Sequence, residues 1–195
     1  MKQDSIALYS NVHLALVHFP VYNKTGEVVA SSVTTLDVHD ISRVCRTFGV
    51  GSFFVVTPLK TQQELVERLV GHWLEGHGAE YNPTRKEALL KTRVTKSLDA
   101  AVAEVTKQCG KKPQVVVTGA KQVPNSIGYE DLKKKLHAED PTLLVFGTGW
   151  GLEKNLIQSA DYVLEPIEGN NGFNHLPVRG AIAIILDRLL GRGGS

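Results

Sequence analysis

Three glycines at alternate positions, Gly147, Gly149 and Gly151, follow a short apolar run in Leu143–Leu152 (LLVFGTGWGL). Glycines at the carboxyl end of a strand let the backbone approach a ligand with no Cβ in the way. In open α/β sheets ligands bind at that edge. The spacing excludes two common phosphate loops. G-x-G-x-x-G requires glycine at position 152, where Leu152 stands, and the G-K-[ST] ending of a P-loop is missing. Two readings remain: a pocket in which a nucleotide-like ligand meets backbone amides and carbonyls, or a tight strand–helix turn. Two further loops share this character. Val117–Ala120 (VTGA) closes another apolar run, and Glu165–Val178 (EPIEGNNGFNHLPV) is long and rich in Asn and Gly. Loops of that length inside a compact domain are more often functional than not.

These loops need a frame. Apolar runs at Val12–His18, Gly51–Val56, Gln114–Thr118, Thr142–Phe146 and Tyr162–Leu164 predict strands. The runs are continuous rather than alternating, as in strands covered on both faces. Between them lie helical patterns. In Asp37–Phe48 the apolar positions are Ile41, Val44, Cys45 and Phe48, so at ~100° per residue Arg43 and Arg46 project from the opposite side. Thr61–His77 carries Leu65, Leu69 and Trp73 on one face, Ser97–Cys109 has Ser97 as its N-cap, and Asp131–His137 is short and basic. Strands alternating with helices predict an α/β domain: a mainly parallel sheet with helices on both faces. The last helix, Arg179–Leu190, follows a stripe of Val178, Ala181, Ile182, Ile185, Leu186 and Leu189, yet Ala183, Ile184 and Leu190 lie off it. A helix apolar over most of its circumference is buried on more than one side. A subunit interface in a homodimer is the expected reason, with interior packing the alternative.

The 195 residues, 42% hydrophobic and 22% charged, suit one globular domain over 1–192 with a frayed tail at 193–195. No apolar run approaches the ~20 residues that span a bilayer, and the start, MKQDSIALYS, has no secretory apolar region. No membrane partner is expected. Two cysteines, Cys45 and Cys109, are too few for a disulfide framework or a zinc site. His13, His18, His72, His77 and His137 share no ligand spacing on one face, so they read as structural, no metal is expected, and a cytoplasmic location is the default. The net charge of +2 hides an asymmetry: residues 85–135 hold twelve Lys/Arg against five Asp/Glu. Such a segment is either a footprint for a polyanion or a set of solvated helix faces.

Taken together, TGA at 118–120, FGTGWGL at 146–152, LEPI at 164–167 and NHLPVRGAIAI at 174–184 resemble the SPOUT superfamily of RNA methyltransferases, which contains the SpoU/TrmH and TrmD families. With HFPVYNK at 18–24 and DVHDISRVCRTFGV at 37–50, the whole chain looks closest to the small stand-alone TrmD C-terminal-like group. The resemblance implies a deep C-terminal trefoil knot whose loops, within about 114–190, hold S-adenosylmethionine (SAM). It also implies an obligate homodimer and methyl transfer to a nucleotide of tRNA or rRNA. RVCRTFG at 43–49 resembles the first SpoU motif, with Arg43 six residues before Gly49; the turn upstream departs from it, Val38-His39-Asp40 standing where SpoU proteins have an Asn-x-Gly type. That leaves base methylation open beside ribose transfer.

SAM is expected to contact backbone more than side chains, at Thr118, Gly119, Gly147, Thr148, Gly149, Glu165, Ile167, Asn174, His175, Leu176 and Val178. Glu165 reads as a ribose or amine acceptor, or as a surface carboxylate. Transfer needs aligned donor and acceptor, and a base or charge stabiliser where the acceptor loses a proton. Arg43, Asp40 and Arg46 are the expected catalytic groups, with His39, Glu168 and His175 as further candidates; Asp40 and His39 can equally cap their helix. Two other classes fit the same loops: a non-catalytic knotted RNA-binding protein, and a nucleotide-binding regulator.

Overall fold

The computed structural model describes residues 10–136 and 140–192. The expectations for the amino-terminal start, His137 and the tail 193–195 lie outside the described residues. Six strands form one sheet: β1 (Val12–Val17), β4 (Phe53–Val56), β5 (Thr92–Thr95), β6 (Gln114–Val117), β7 (Thr142–Gly147) and β8 (Tyr162–Val163). Their order is β5-β4-β1-β7-β6-β8, and every pairing is parallel. β2 (Val21–Tyr22) and β3 (Val28–Val29) make a separate antiparallel pair.

The continuous apolar runs have the expected cause. Leu14 and Leu16 of β1 enter one core cluster, while Ala15 and Val17 enter another. The first cluster receives side chains from α1 (Thr35–Phe48), α2 (Lys60–Leu74), α4 (Pro83–Leu89), α6 (Tyr129–Leu136) and α8 (Val178–Leu190). The second receives α5 (Leu98–Cys109) and α7 (Lys154–Gln158). Helices therefore cover both faces, and a strand between two layers has no polar side.

Capping sets the helix that carries the arginines. The Thr34 hydroxyl accepts from the Asp37 amide at 3.1 Å and donates to the Asp37 carboxylate at 2.6 Å, and Gly49 closes α1 at φ 74°. Asp40 and His39 thus lie within α1, so neither caps it. Ser97 caps α5 as expected, accepting from the Ala100 amide at 3.2 Å.

Other expectations shift. The helix over Thr61–His77 ends at Leu74, and its core contacts are Val66, Leu69, Val70, Trp73 and Leu74; Leu65 is 39% exposed. α3 (His77–Tyr81), α4, α7 and the edge strand β5 were not expected. The helices are five to seven residues long, too short to show a period, and β5 (TRVT), at the sheet edge with a neighbour on one side only, has Val94 as its single apolar residue. Within one chain α8 buries Ile182, Ile185, Leu186, Leu189 and Leu190, leaving Ala183 and Ile184 half-buried.

The basic segment 85–135 does not form one patch. Arg85–Arg93 lies beside β5 at one edge of the sheet, whereas Lys133–Lys135 of α6 lies beside β6 and β8 at the other.

Candidate active site

Because the strands are parallel, all their carboxyl ends share one edge, where open α/β sheets bind ligands. β7 leaves it through Gly147-Thr148-Gly149, β6 through Thr118-Gly119 and β8 through Leu164-Glu165.

The glycine loop is a tight turn. A Cβ on Gly147 would sit 2.8 Å from the Leu152 side chain, and one on Gly149, at φ +60°, would sit 2.9 Å from the Tyr22 carbonyl. The Trp150 amide donates to Tyr22 O and the Tyr22 amide to Gly151 O, both at 2.9 Å. The turn is thereby clamped to the segment after β1. Thr148 donates its hydroxyl to Val17 O at 3.0 Å.

The other two loops meet each other. Asn174 Nδ2 donates to Ala120 O at 2.8 Å, joining the loop after β8 to the one after β6. Thr118 is turned inward, its amide and hydroxyl both directed to Val145 O, while Gly119 is exposed with open space where a Cβ would be. Glu165 accepts from the Tyr129 amide at 3.2 Å, so its carboxylate anchors the start of α6. Ile167 and Val178 pack against the core. His175 is exposed, edge-on to Phe173 at 5.4 Å between ring centroids, and Leu176 is exposed beside it.

Two properties fit a ligand with a flat apolar ring and several polar edges. Trp150 and Phe173, 62% and 68% exposed, stand on these loops. The amides of Gly119, Gly149 and Ile167 donate to no group among the described residues. Backbone groups of that kind recognise a purine without a dedicated side chain.

α1 supplies the charged side. Arg179, at the start of α8, reaches it with NH1 3.2 Å from Asp37 Oδ1 and Nε 3.5 Å from Asp40 Oδ2. Arg43, one turn beyond Asp40, is exposed and forms no ion pair among the described residues. Arg46 is instead paired with Glu87 of α4. His39 lies edge-on to Trp73 at 5.6 Å; burial first, then Arg85 and Arg43, lower its pKa and favour the neutral imidazole. Glu168 is exposed on the loop after β8. Among the described residues no three His, Cys, Asp or Glu side chains converge on a metal position, and no helix is long and apolar enough to cross a membrane.

Sequence reasoning missed Arg179, although it stands inside the NHLPVRGAIAI run, and read His18 as merely structural. His18 is buried and hydrogen-bonded to Ser31, which in turn contacts Thr148. A histidine ending an otherwise apolar strand run was the available signal.

The profile of the SAM-dependent RNA methyltransferase family matches residues 11–191. The chain belongs to that family. Its cofactor is SAM, its substrate class is RNA, and its place is in the SPOUT superfamily. The methyltransferase is 39% identical over 188 residues to an uncharacterized protein of Aquifex aeolicus, covering 96% of this chain and 92% of that one. It is 41% identical over 181 residues to a tRNA (guanine-N(1)-)-methyltransferase of Oleidesulfovibrio alaskensis, covering 93% of this chain but only 42% of that relative's length. The A. aeolicus TrmH/SpoU tRNA modifying enzyme shares the fold, with a TM-score of 0.53 at 18% identity over 94% of this chain and 79% of that one.

Proposed function

We propose that this methyltransferase modifies a tRNA nucleotide, holding SAM in the three carboxyl-edge loops and presenting the acceptor to Arg43. One observation carries the reading: three loops whose amides at Gly119, Gly149 and Ile167 have no partner among the described residues leave the same edge of the sheet, and α1, tied to the start of α8 through Arg179, offers at Arg43 a guanidinium with no ion pair among those residues. The pocket comprises Thr118, Gly119, Gly147, Thr148, Gly149, Glu165, Ile167, Asn174, His175, Leu176 and Val178. Bound SAM supplies an electrophilic sulfonium methyl.

The chain's own groups do the rest. Backbone amides and carbonyls orient the adenosyl moiety, and Glu165, already fixed by the Tyr129 amide, has a second carboxylate oxygen for a ribose hydroxyl or amine. Arg43 binds phosphate or stabilises negative charge developing on the acceptor. Asp40, one turn before Arg43 and held by Arg179, takes the acceptor's proton. Arg46 supports from its pairing with Glu87.

The tRNA assignment is supported by the 41% identical tRNA (guanine-N(1)-)-methyltransferase, of which this chain matches a part. A homodimer is supported by the half-buried Ala183 and Ile184 of α8 and the exposed Trp150, Phe173 and Leu176. The trefoil knot is supported by the parallel seating of β8 against β6 and the return of the following loop to Ala120.

Transfer of tritiated methyl from SAM to unmodified tRNA and, separately, rRNA tests the reading. Label is expected in tRNA with the native chain and not with Arg43→Ala. Label in rRNA alone would overturn the substrate, and full activity of the variant would overturn the role of Arg43. Sedimentation velocity tests the dimer, a monomer at micromolar concentration contradicting it.

A further inference from the structure

A short hydrogen-bonded chain ties the glycine loop to the end of β1. The Thr148 hydroxyl donates to Val17 O at 3.0 Å, so its oxygen accepts from the Ser31 hydroxyl. Ser31 Oγ then accepts from His18 Nδ1 at 3.0 Å. The alternative acceptor for Ser31, His18 O, is 3.4 Å away and already takes the Ser31 amide at 2.8 Å. The direction that makes all three bonds runs from His18 Nδ1–H to Ser31, from Ser31 to Thr148 and from Thr148 to Val17. In that direction His18 is the neutral tautomer protonated on Nδ1. Its Nε2 is buried with no partner among the described residues.

Stability does not explain this arrangement. A buried acceptor without a partner is costly, and replacing such a chain by apolar groups of the same shape can be nearly neutral. What a buried polar network adds is a single conformation. Between Gly147 and Gly151 the only side chains are Thr148 and Trp150, and Trp150 is exposed. Thr148 is therefore the one side-chain handle by which the interior can hold this turn.

We propose that His18 is a positioning residue, which through Ser31 fixes Thr148 and so holds the glycine loop in the form that accepts the cofactor. This rests on the reading of that loop as part of the SAM pocket.

Titration of the full chain with S-adenosylhomocysteine, with melting recorded alongside, tests it. Ser31→Ala and His18→Leu are expected to weaken binding by about three- to tenfold. His18→Asn, whose amide N–H replaces Nδ1–H, is expected to stay within about twofold of the native chain on the same scale. Should His18→Leu fail to fold, Ser31→Ala still decides. Native affinity in Ser31→Ala overturns the proposal, as does equal weakening by His18→Asn and His18→Leu. Gly149→Ala separates the underlying reading: native affinity there means that the loop does not hold the cofactor, whatever the Ser31 result.

Discussion

The loops after β6, β7 and β8 present backbone at the carboxyl edge of the sheet, while α1 presents charged side chains. The glycine loop after β7 depends on the absence of atoms: a Cβ at Gly147 or Gly149 would collide with Leu152 or the Tyr22 carbonyl. On α1 the opposite holds. Arg43 is solvent-exposed and makes no ion pair among the described residues, so the fold does not need it. The glycine turn resists substitution because it would not close, whereas a change at Arg43 is expected to leave the fold intact. On the proposed reading, binding and transfer are then separable by mutation.

Arg43→Ala gives the largest expected effect and the sharpest separation. Transfer should fall by about 10²–10³-fold, the usual loss of one charge-stabilising donor, with S-adenosylhomocysteine affinity within about twofold. Single-turnover transfer alongside titration checks both; a parallel loss of binding would dissolve the contrast between the two regions.

Acid should loosen β1 at both ends. Burial pushes His13 and His18 down from 6.5 to about 4, aided at His13 by Lys91 and opposed at His18 by Asp37. Both are neutral in the fold, whereas the unfolded chain takes up protons below pH 6.5. Stability is therefore complete above 6.5 and is lost as pH falls from 6.5 towards 4, by about 3 kcal/mol per histidine as an order of magnitude. Urea unfolding at pH 7.5, 5.5 and 4.5 measures it, and a flat profile would refute the neutral assignment. His18→Asn should flatten the profile by roughly half.

Gly149→Ala should destabilise the chain by about 1–3 kcal/mol, because its φ of +60° and the Tyr22 carbonyl both oppose a Cβ. Thermal unfolding reads this directly. Gly26→Ala also carries positive φ but meets nothing within 4 Å, so it should cost less and leave cofactor affinity unchanged.

Arg46→Ala is expected to change stability by less than about 1 kcal/mol, since the pair with Glu87 is half exposed. A loss of transfer comparable to Arg43→Ala would move the catalytic role along α1 by one turn.

The same division governs what was readable from the chain. β1, β4, β6 and β7 announced themselves because strands between two helical layers are apolar throughout, and α1 and α5 because long amphipathic helices carry their period, α5 also its cap at Ser97; the cap of α1 at Thr34 was not read. β5 did not, since an edge strand such as TRVT needs no apolar run. α4 was foreshadowed only by Asn82-Pro83, a cap followed by proline in the first turn. In the site, the glycine loop was legible because a missing side chain shows in the sequence. The Arg179 bridge to Asp37 and Asp40, and the Ser31 contact with Thr148, were not: their partners are over a hundred residues apart, and only the closed sheet brings them together.

Hydrogen exchange of the full chain with and without S-adenosylhomocysteine tests the central claim most directly. New protection confined to residues 118–120, 147–152 and 165–178, with the exposed face of α1 around Arg43 unchanged, is the predicted result. Protection elsewhere, or none in the glycine loop at saturating ligand, would contradict it.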